Sequence, residues 1–439
     1  MTVELAHPST EPLAQRTPTE PAHPWWWFAN TTPGRILTIG AILAALGILS
    51  AFAISTTINE RQRQLTAVLD YTEPLAFTSG QIYTTLSVAD AAASTAFVAG
   101  AEPRAVRQRY EQAITQAAVA ITRASSGLTD PALVDLLARV NAQLAVYTGL
   151  IETARTNNRV GNPVGSSYLS EASALMQDKI LPDAQSLYQV TSARVDAETT
   201  ASAKIPAPVI IVVTATLGFG VFAHRWLARR TKRRVNVGLV AGGLAIALMI
   251  VWVGTALAIS TAGSRAAKNT AADSLRTVTN LAITAQQARA DETLSLIRRG
   301  DEDVRKRSYY QRVDTMREQL GDYLARKDSV DKSGLAQADQ LLEKWRQADE
   351  RINNYITVGN YQAATQVALG TGEDDSTPAF DKLNDALEQG IQESRKQLRY
   401  DILSARRVLS GTTVGGVMLS VGAAFAVALG LWPRMSEYR

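Results

Sequence analysis

Cysteine is absent from the 439 residues, so disulfides and thiolate metal sites are excluded. Histidine is nearly absent: His7 and His23 lie near the N-terminus, and His224 lies beside an apolar segment. That scarcity argues against histidine-based metal or acid–base chemistry. Gly370-Thr371-Gly372 is a bare Gly-x-Gly without the rest of a nucleotide fingerprint. Glu373-Asp374-Asp375 lacks the ligand spacing of a calcium loop. No catalytic, metal or cofactor site is therefore expected, and the chain reads as a non-enzyme. The net charge of +4 is modest and its basic excess is local. Local basic clusters beside apolar segments indicate a membrane surface, not nucleic acid.

Charge is also missing from the interiors of four long stretches, 35–55, 205–223, 235–259 and 409–432. Each is close to the ~20 apolar residues that a membrane-spanning helix needs. The expected fold is all-α: an integral membrane protein with four transmembrane helices. The connection 224–234 carries Arg225, Arg229, Arg230, Lys232, Arg233 and Arg234 and has no acidic residue. The positive-inside rule puts it in the cytoplasm, together with the tail 1–34 and the C-terminus 433–439. Arg229, Arg230, Lys232, Arg233 and Arg234 are candidate contacts for a cytoplasmic partner or anionic lipid. The tail is rich in Pro and Thr and has no apolar pattern, so disorder is expected there. Trp25-Trp26-Trp27-Phe28 would anchor it at the inner headgroups.

Two polar segments remain, 56–204 and 260–408, both expected outside the cytoplasm. Ala89-Asp90 answers Ala290-Asp291, and Val106-Arg107-Gln108-Arg109 answers Val304-Arg305-Lys306-Arg307. Val160-Gly161-Asn162 answers Val358-Gly359-Asn360, and Pro182 answers Pro378. The common order argues for duplication of a span–domain–span unit. Each copy reads as a four-helix bundle. In the first, Leu65, Val68, Thr72, Leu75, Ser79, Ile82, Leu86, Ala89 and Ala93 recur at spacings of three and four, a bundle seam. Leu181, Ala184, Leu187 and Val190 give the core face of its fourth helix, and Trp345 belongs to the core of the second copy.

The second helix of each copy begins with cations: Arg104, Arg107 and Arg109 in one, Arg305, Lys306 and Arg307 in the other. A start near the membrane-distal tip makes them candidate contacts for an external partner or ligand, since arginine forks suit carboxylates. Asp90 and Asp291 are expected to pair with them. Gly238 with Gly242, and Gly411 with Gly415, have the small-xxx-small spacing that permits a homo-oligomer.

A membrane-flanked helical bundle resembles the sensor domains of bacterial chemoreceptors and sensor histidine kinases. Two bundles on four spans, the aromatic run 25–28, the arginine-rich loop, the paired Val-Gly-Asn elements and the end after Trp432-Pro433 together resemble the GlnX family of actinobacterial membrane sensors. The resemblance implies a signal relay in sensing aspartate, glutamate and glutamine. Its implied partners are a solute-binding lipoprotein (GlnH-like) outside and a Ser/Thr protein kinase (protein kinase G-like) inside. A scaffold protein of the cell envelope, or a transporter subunit, are the alternatives. Transport is disfavoured by spans without ionisable residues at mid-membrane.

Overall fold

The computed structural model describes residues 32–98, 104–126, 128–204, 207–231, 237–297, 302–327 and 330–436. Every regular element among them is helical, and four helices are long and apolar enough to cross a membrane. The all-α expectation holds. The aromatic run 25–28, Lys232, Arg233, Arg234 and all of the tail before Thr32 lie outside the described residues.

The chain divides into two compact units. One holds the most apolar helical stretches, up to Ala53, Pro208–Ile250 and from Gly416 on. Within it, the buried hydroxyls of Ser50 and Thr216 lie 2.8 Å apart, so that one donates to the other, and each also lies 2.8 Å from a carbonyl oxygen of its own helix, Leu46 O and Val212 O. Hydroxyl pairs of this kind hold neighbouring spans together where no water competes.

The second unit, Ile54–Ala207 with Val251–Gly415, contains both repeats. In the first repeat α1 (Thr32–Ala67) passes through a π-helical turn, Val68–Thr72, into α2 (Glu73–Val98). Then come α3 (Arg104–Ser125), α4 (Pro131–Arg159), α5 (Val164–Leu175), a second π turn at Met176–Ile180, and α6 (Leu181–Ser202). α7 (Ala207–Thr231) and α8 (Val237–Ala266) follow, and a third π turn, Ala267–Ala272, opens the second repeat. Its helices are α9 (Asp273–Ile297), α10 (Glu302–Ala325), α11 (Ala338–Thr357), α12 (Tyr361–Leu369) and α13 (Ser376–Leu409), followed by α14 (Thr412–Ser436).

The two segments match in local detail. Gly161 and Gly359 take positive φ, 70° and 74°, conformations that residues with a Cβ rarely adopt. At both, a Schellman turn closes the helix. Gly161 N–H donates to Asn158 O and Asn162 N–H to Asn157 O; Gly359 N–H donates to Ile356 O and Asn360 N–H to Tyr355 O. Val160 and Val358 stand out of the two turns, 76% and 75% exposed. The first and third π turns also fall at equivalent places, just before α2 and α9.

All nine residues of the predicted seam are buried. Val190 is not; it is 41% exposed. The buried stripe of α6 runs through Leu187, Tyr188, Thr191 and Val195 and leaves Val190 beside it. The repeats also differ ahead of their final helices. Pro182 sits inside a helix, where a missing N–H and a clash with the preceding turn cost ~3 kcal/mol. The π turn immediately before it widens the helix there. The second repeat avoids the conflict by breaking the chain between Leu369 and Ser376, so that Pro378 falls in the first turn of α13.

The core of the second repeat centres on Trp345, which is fully buried with Tyr309 edge-on at 5.2 Å and Phe380 at 5.0 Å. Its indole N–H reaches Glu292 Oε2 and Ser376 Oγ, both at 3.2 Å. Trp345→Ala should lower stability by about 3–5 kcal/mol, as large aromatic truncations do. Denaturant unfolding of the purified full chain checks it; a change under about 0.5 kcal/mol would be that of a surface site.

Candidate functional site

The two repeats meet along α2 and α9. Ile283 of α9 enters the hydrophobic core of the first repeat. The last helix of each repeat then crosses to the start of the other's first helix. α13 brings Arg395 and Arg399 to Glu73, the first residue of α2: Arg395 Nε bonds Oε1, and Arg399 Nη1 lies 3.1 Å from Oε2. Arg399 Nη1 also donates to Leu69 O at 3.0 Å, inside the π turn. In the opposite direction α6 brings Asp196 to Arg276 of α9, at 3.2 Å. Arg276 also bonds Asp273 at 2.8 Å. The acid stands on α2 in one crossing and on α6 in the other.

Further bonds join the repeats. Arg109 of α3 makes a bidentate pair with Asp381 of α13, at 3.0 and 2.7 Å. Arg61 bonds Thr261 at the equivalent position of the other copy, at 3.0 Å. These bonds are not of equal weight. The Arg109 and Asp381 side chains are 43% and 36% exposed, so their pair is worth about 0.2–1 kcal/mol. The Glu73 side chain is 1% exposed. Without its arginines it would be a stranded buried charge, at a cost of several kcal/mol.

Above these contacts a cleft of about 200 Å³ opens between the repeats. α2, α3 and α6 line one side, α9 and α13 the other. On the second repeat's side, Gln286 Nε2 of α9 donates to Asn384 Oδ1 of α13 at 2.8 Å. Burial pushes the Tyr188 hydroxyl up to about 12. Burial also pushes the Asp196 carboxyl above its usual range, against the pull of Arg276.

A second polar cluster lies inside the second repeat. Arg289 pairs with Glu292, donates to Ser376 Oγ at 2.8 Å and Thr377 Oγ1 at 2.7 Å, and lies 5.4 Å from the Phe380 ring centre. Asp349, also buried, accepts from Asn353 Nδ2 at 2.7 Å. Burial, with the charge of Glu292 added, pushes the Asp349 carboxyl well above the usual carboxylate range; Tyr310 and Lys306 pull the other way.

The cations singled out in the sequence have separate fates. Arg109 joins the repeats, Arg107 pairs with Glu111 on its own helix at 2.8 Å, and Arg305 lies 3.7 Å from Asp291. Arg104, Lys306 and Arg307 are exposed. Asp291 thus meets Arg305 as expected, and Arg312 as well at 3.0 Å. Asp90 accepts from Tyr147, Ser173 and Gln177. Arg229 is exposed near the end of α7, and the side chain of Arg230 lies outside the described residues. Of the residues that join the repeats, Arg109 is a sequence candidate, whereas Glu73, Asp196, Arg276, Arg395 and Arg399 are not. The one available signal was the acid shared by Glu73 and Asp273 at matching places.

The arrangement is that of an all-α protein with four candidate membrane spans. Residues 64–200 match the family described as actinobacterial sensor domain, so the first repeat is a sensor domain. No curated protein and no solved structure matches the chain.

Two outcomes follow from the buried carboxylates. Arg395→Ala with Arg399→Ala should destabilise the unit by about 3 kcal/mol, and adding Glu73→Gln should restore most of it; Arg109→Ala should cost under about 1 kcal/mol. Denaturation of the three variants, followed by tryptophan fluorescence, separates them. For Asp349 the raised native pKa means that the neutral form stabilises the fold. That stability is present below the unfolded value and is lost as pH rises through the native one. Unfolding midpoints between about pH 4 and pH 8 should therefore fall less steeply in Asp349→Asn than in the wild type.

Proposed function

We propose that this chain is a transmembrane signal relay and not an enzyme. It reports amino acids such as aspartate, glutamate or glutamine, captured outside by a GlnH-like solute-binding lipoprotein, to a cytoplasmic Ser/Thr kinase of the protein kinase G type. The observation that carries the reading is a sensor domain within a chain of four candidate spans. The second repeat, with the same Schellman turn and the same π turn, is taken as a second sensor unit. The topology proposed puts both repeats outside and the loop with Arg229 and Arg230 inside.

The π turns support a relay physically. The first and third each interrupt the regular ladder of a first helix where the other repeat's last helix touches it. π turns concentrate at functional sites, and small shifts of packed helices are a known signalling motion. Partner binding can bias such an interface by no more than its differential affinity for the two states, typically about 1–3 kcal/mol.

Arg104, Lys306 and Arg307 are the exposed members of the cation sets, so they are the contacts offered to an external partner. Arg104→Glu with Lys306→Glu should weaken that partner and leave the repeat interface intact. The decisive measurement is phosphorylation of the kinase's substrate after aspartate or glutamate is added to cells. It should rise in wild type and stay flat in cells lacking this chain. A response of wild-type strength without the chain would overturn the relay and favour an envelope scaffold.

A further inference from the structure

The cleft between the repeats has a definite chemistry. Its volume of about 200 Å³ is many times what one water needs, roughly 10–15 Å³. Three carboxylates line it, those of Glu73, Asp196 and Glu388, against one guanidinium, that of Arg276. Arg276 is already held by Asp196 and Asp273. A carboxylate or phosphate entering here would meet more repulsion than attraction. Glu73 is answered by Arg395 and Arg399, which leaves Glu388. It is exposed on α13 and has no ion-pair partner among the described residues. The aromatic lining is equally one-sided. Phe77 already serves as a cation platform, with the Arg395 guanidinium 3.9 Å from its ring centre, and Tyr188 supplies a second ring. Amide oxygens of Gln286 and Gln392 add acceptors to the same wall. Asp196 keeps a raised pKa in spite of Arg276, as a carboxylate does when burial outweighs its counter-charge.

We propose that the cleft between the two repeats binds a small organic ammonium ion, held by Glu388 against the rings of Phe77 and Tyr188. Such a ligand touches α2 and α6 of one repeat and α9 and α13 of the other, so it couples directly to the interface that the π turns border. The assignment deepens the sensing reading by naming a ligand class for the chain itself. Binding to the purified protein is nevertheless decided separately from any kinase response in cells.

The test is calorimetric titration of the purified full chain with 1,4-diaminobutane, with glutarate as the anionic counterpart of similar length and potassium as a plain cation. Diaminobutane should bind and the other two should not. Glu388→Lys, a change at an exposed position, should weaken binding by at least about tenfold with an unchanged unfolding midpoint. Thr84→Trp, which fills the cleft without altering its charge, should abolish binding. The proposal is overturned if diaminobutane fails to bind, if glutarate or potassium matches it, or if Glu388→Lys binds as tightly as the wild type. Failure here beside an intact kinase response would leave the relay standing without this ligand. Binding here beside a lost relay would do the reverse.

Discussion

Burial of the Glu73 carboxylate at the meeting of α2 and α13 is the constraint on which the two-repeat unit rests. A charge so deeply buried must be matched, and its partners, Arg395 and Arg399, lie more than three hundred residues further along the chain. The first repeat therefore cannot satisfy this carboxylate by itself. Ile283 makes the same point in apolar terms, because it completes a core made of first-repeat side chains. What reads in sequence as two bundles is, in its energetics, one object with a shared seam. The seam lies where the helices depart from regular hydrogen bonding, as Arg399 shows by bonding the Leu69 carbonyl within the π turn.

Local patterns in the sequence carried a large part of this. The seam from Leu65 to Ala93 obeys helical periodicity because it faces one core, and every position on it is buried. Val160-Gly161-Asn162 and its copy were legible because a Schellman turn demands glycine at a fixed place. The pairings between the repeats were not legible. Nothing about Asp196 or Arg276 distinguishes either from other exposed helix charges, and their pairing depends on how two helices cross. The arginine set at the start of α3 shows the limit. Arg104, Arg107 and Arg109 read as one cluster, yet one is exposed, one pairs along its own helix and one bridges the repeats. Val190 was misplaced for a similar reason: a face extrapolated in steps of three from Leu181 misses the stripe that passes through Thr191 and Val195.

The family match gives that interface its significance. A sensor domain is defined over 64–200, yet its most deeply buried charge is answered from outside those limits. Any change of state in the sensor domain that moves α2 must move it against α13. The acid–arginine contacts, the amide bond between Gln286 and Asn384, and the cleft beside them therefore respond together.

The opposite polarity of the two crossings bears on how such a chain could arise. In a two-fold dimer of a single-repeat ancestor, both crossings would be identical, since each residue would be written twice. An acid on the first helix and arginines on the last would necessarily be repeated in mirror roles. Joining the copies in one polypeptide lifts that obligation. Here one crossing keeps its acid on the first helix and the other has it on the last. With both copies in one polypeptide the two halves of the cleft need not match, and they line it with different groups.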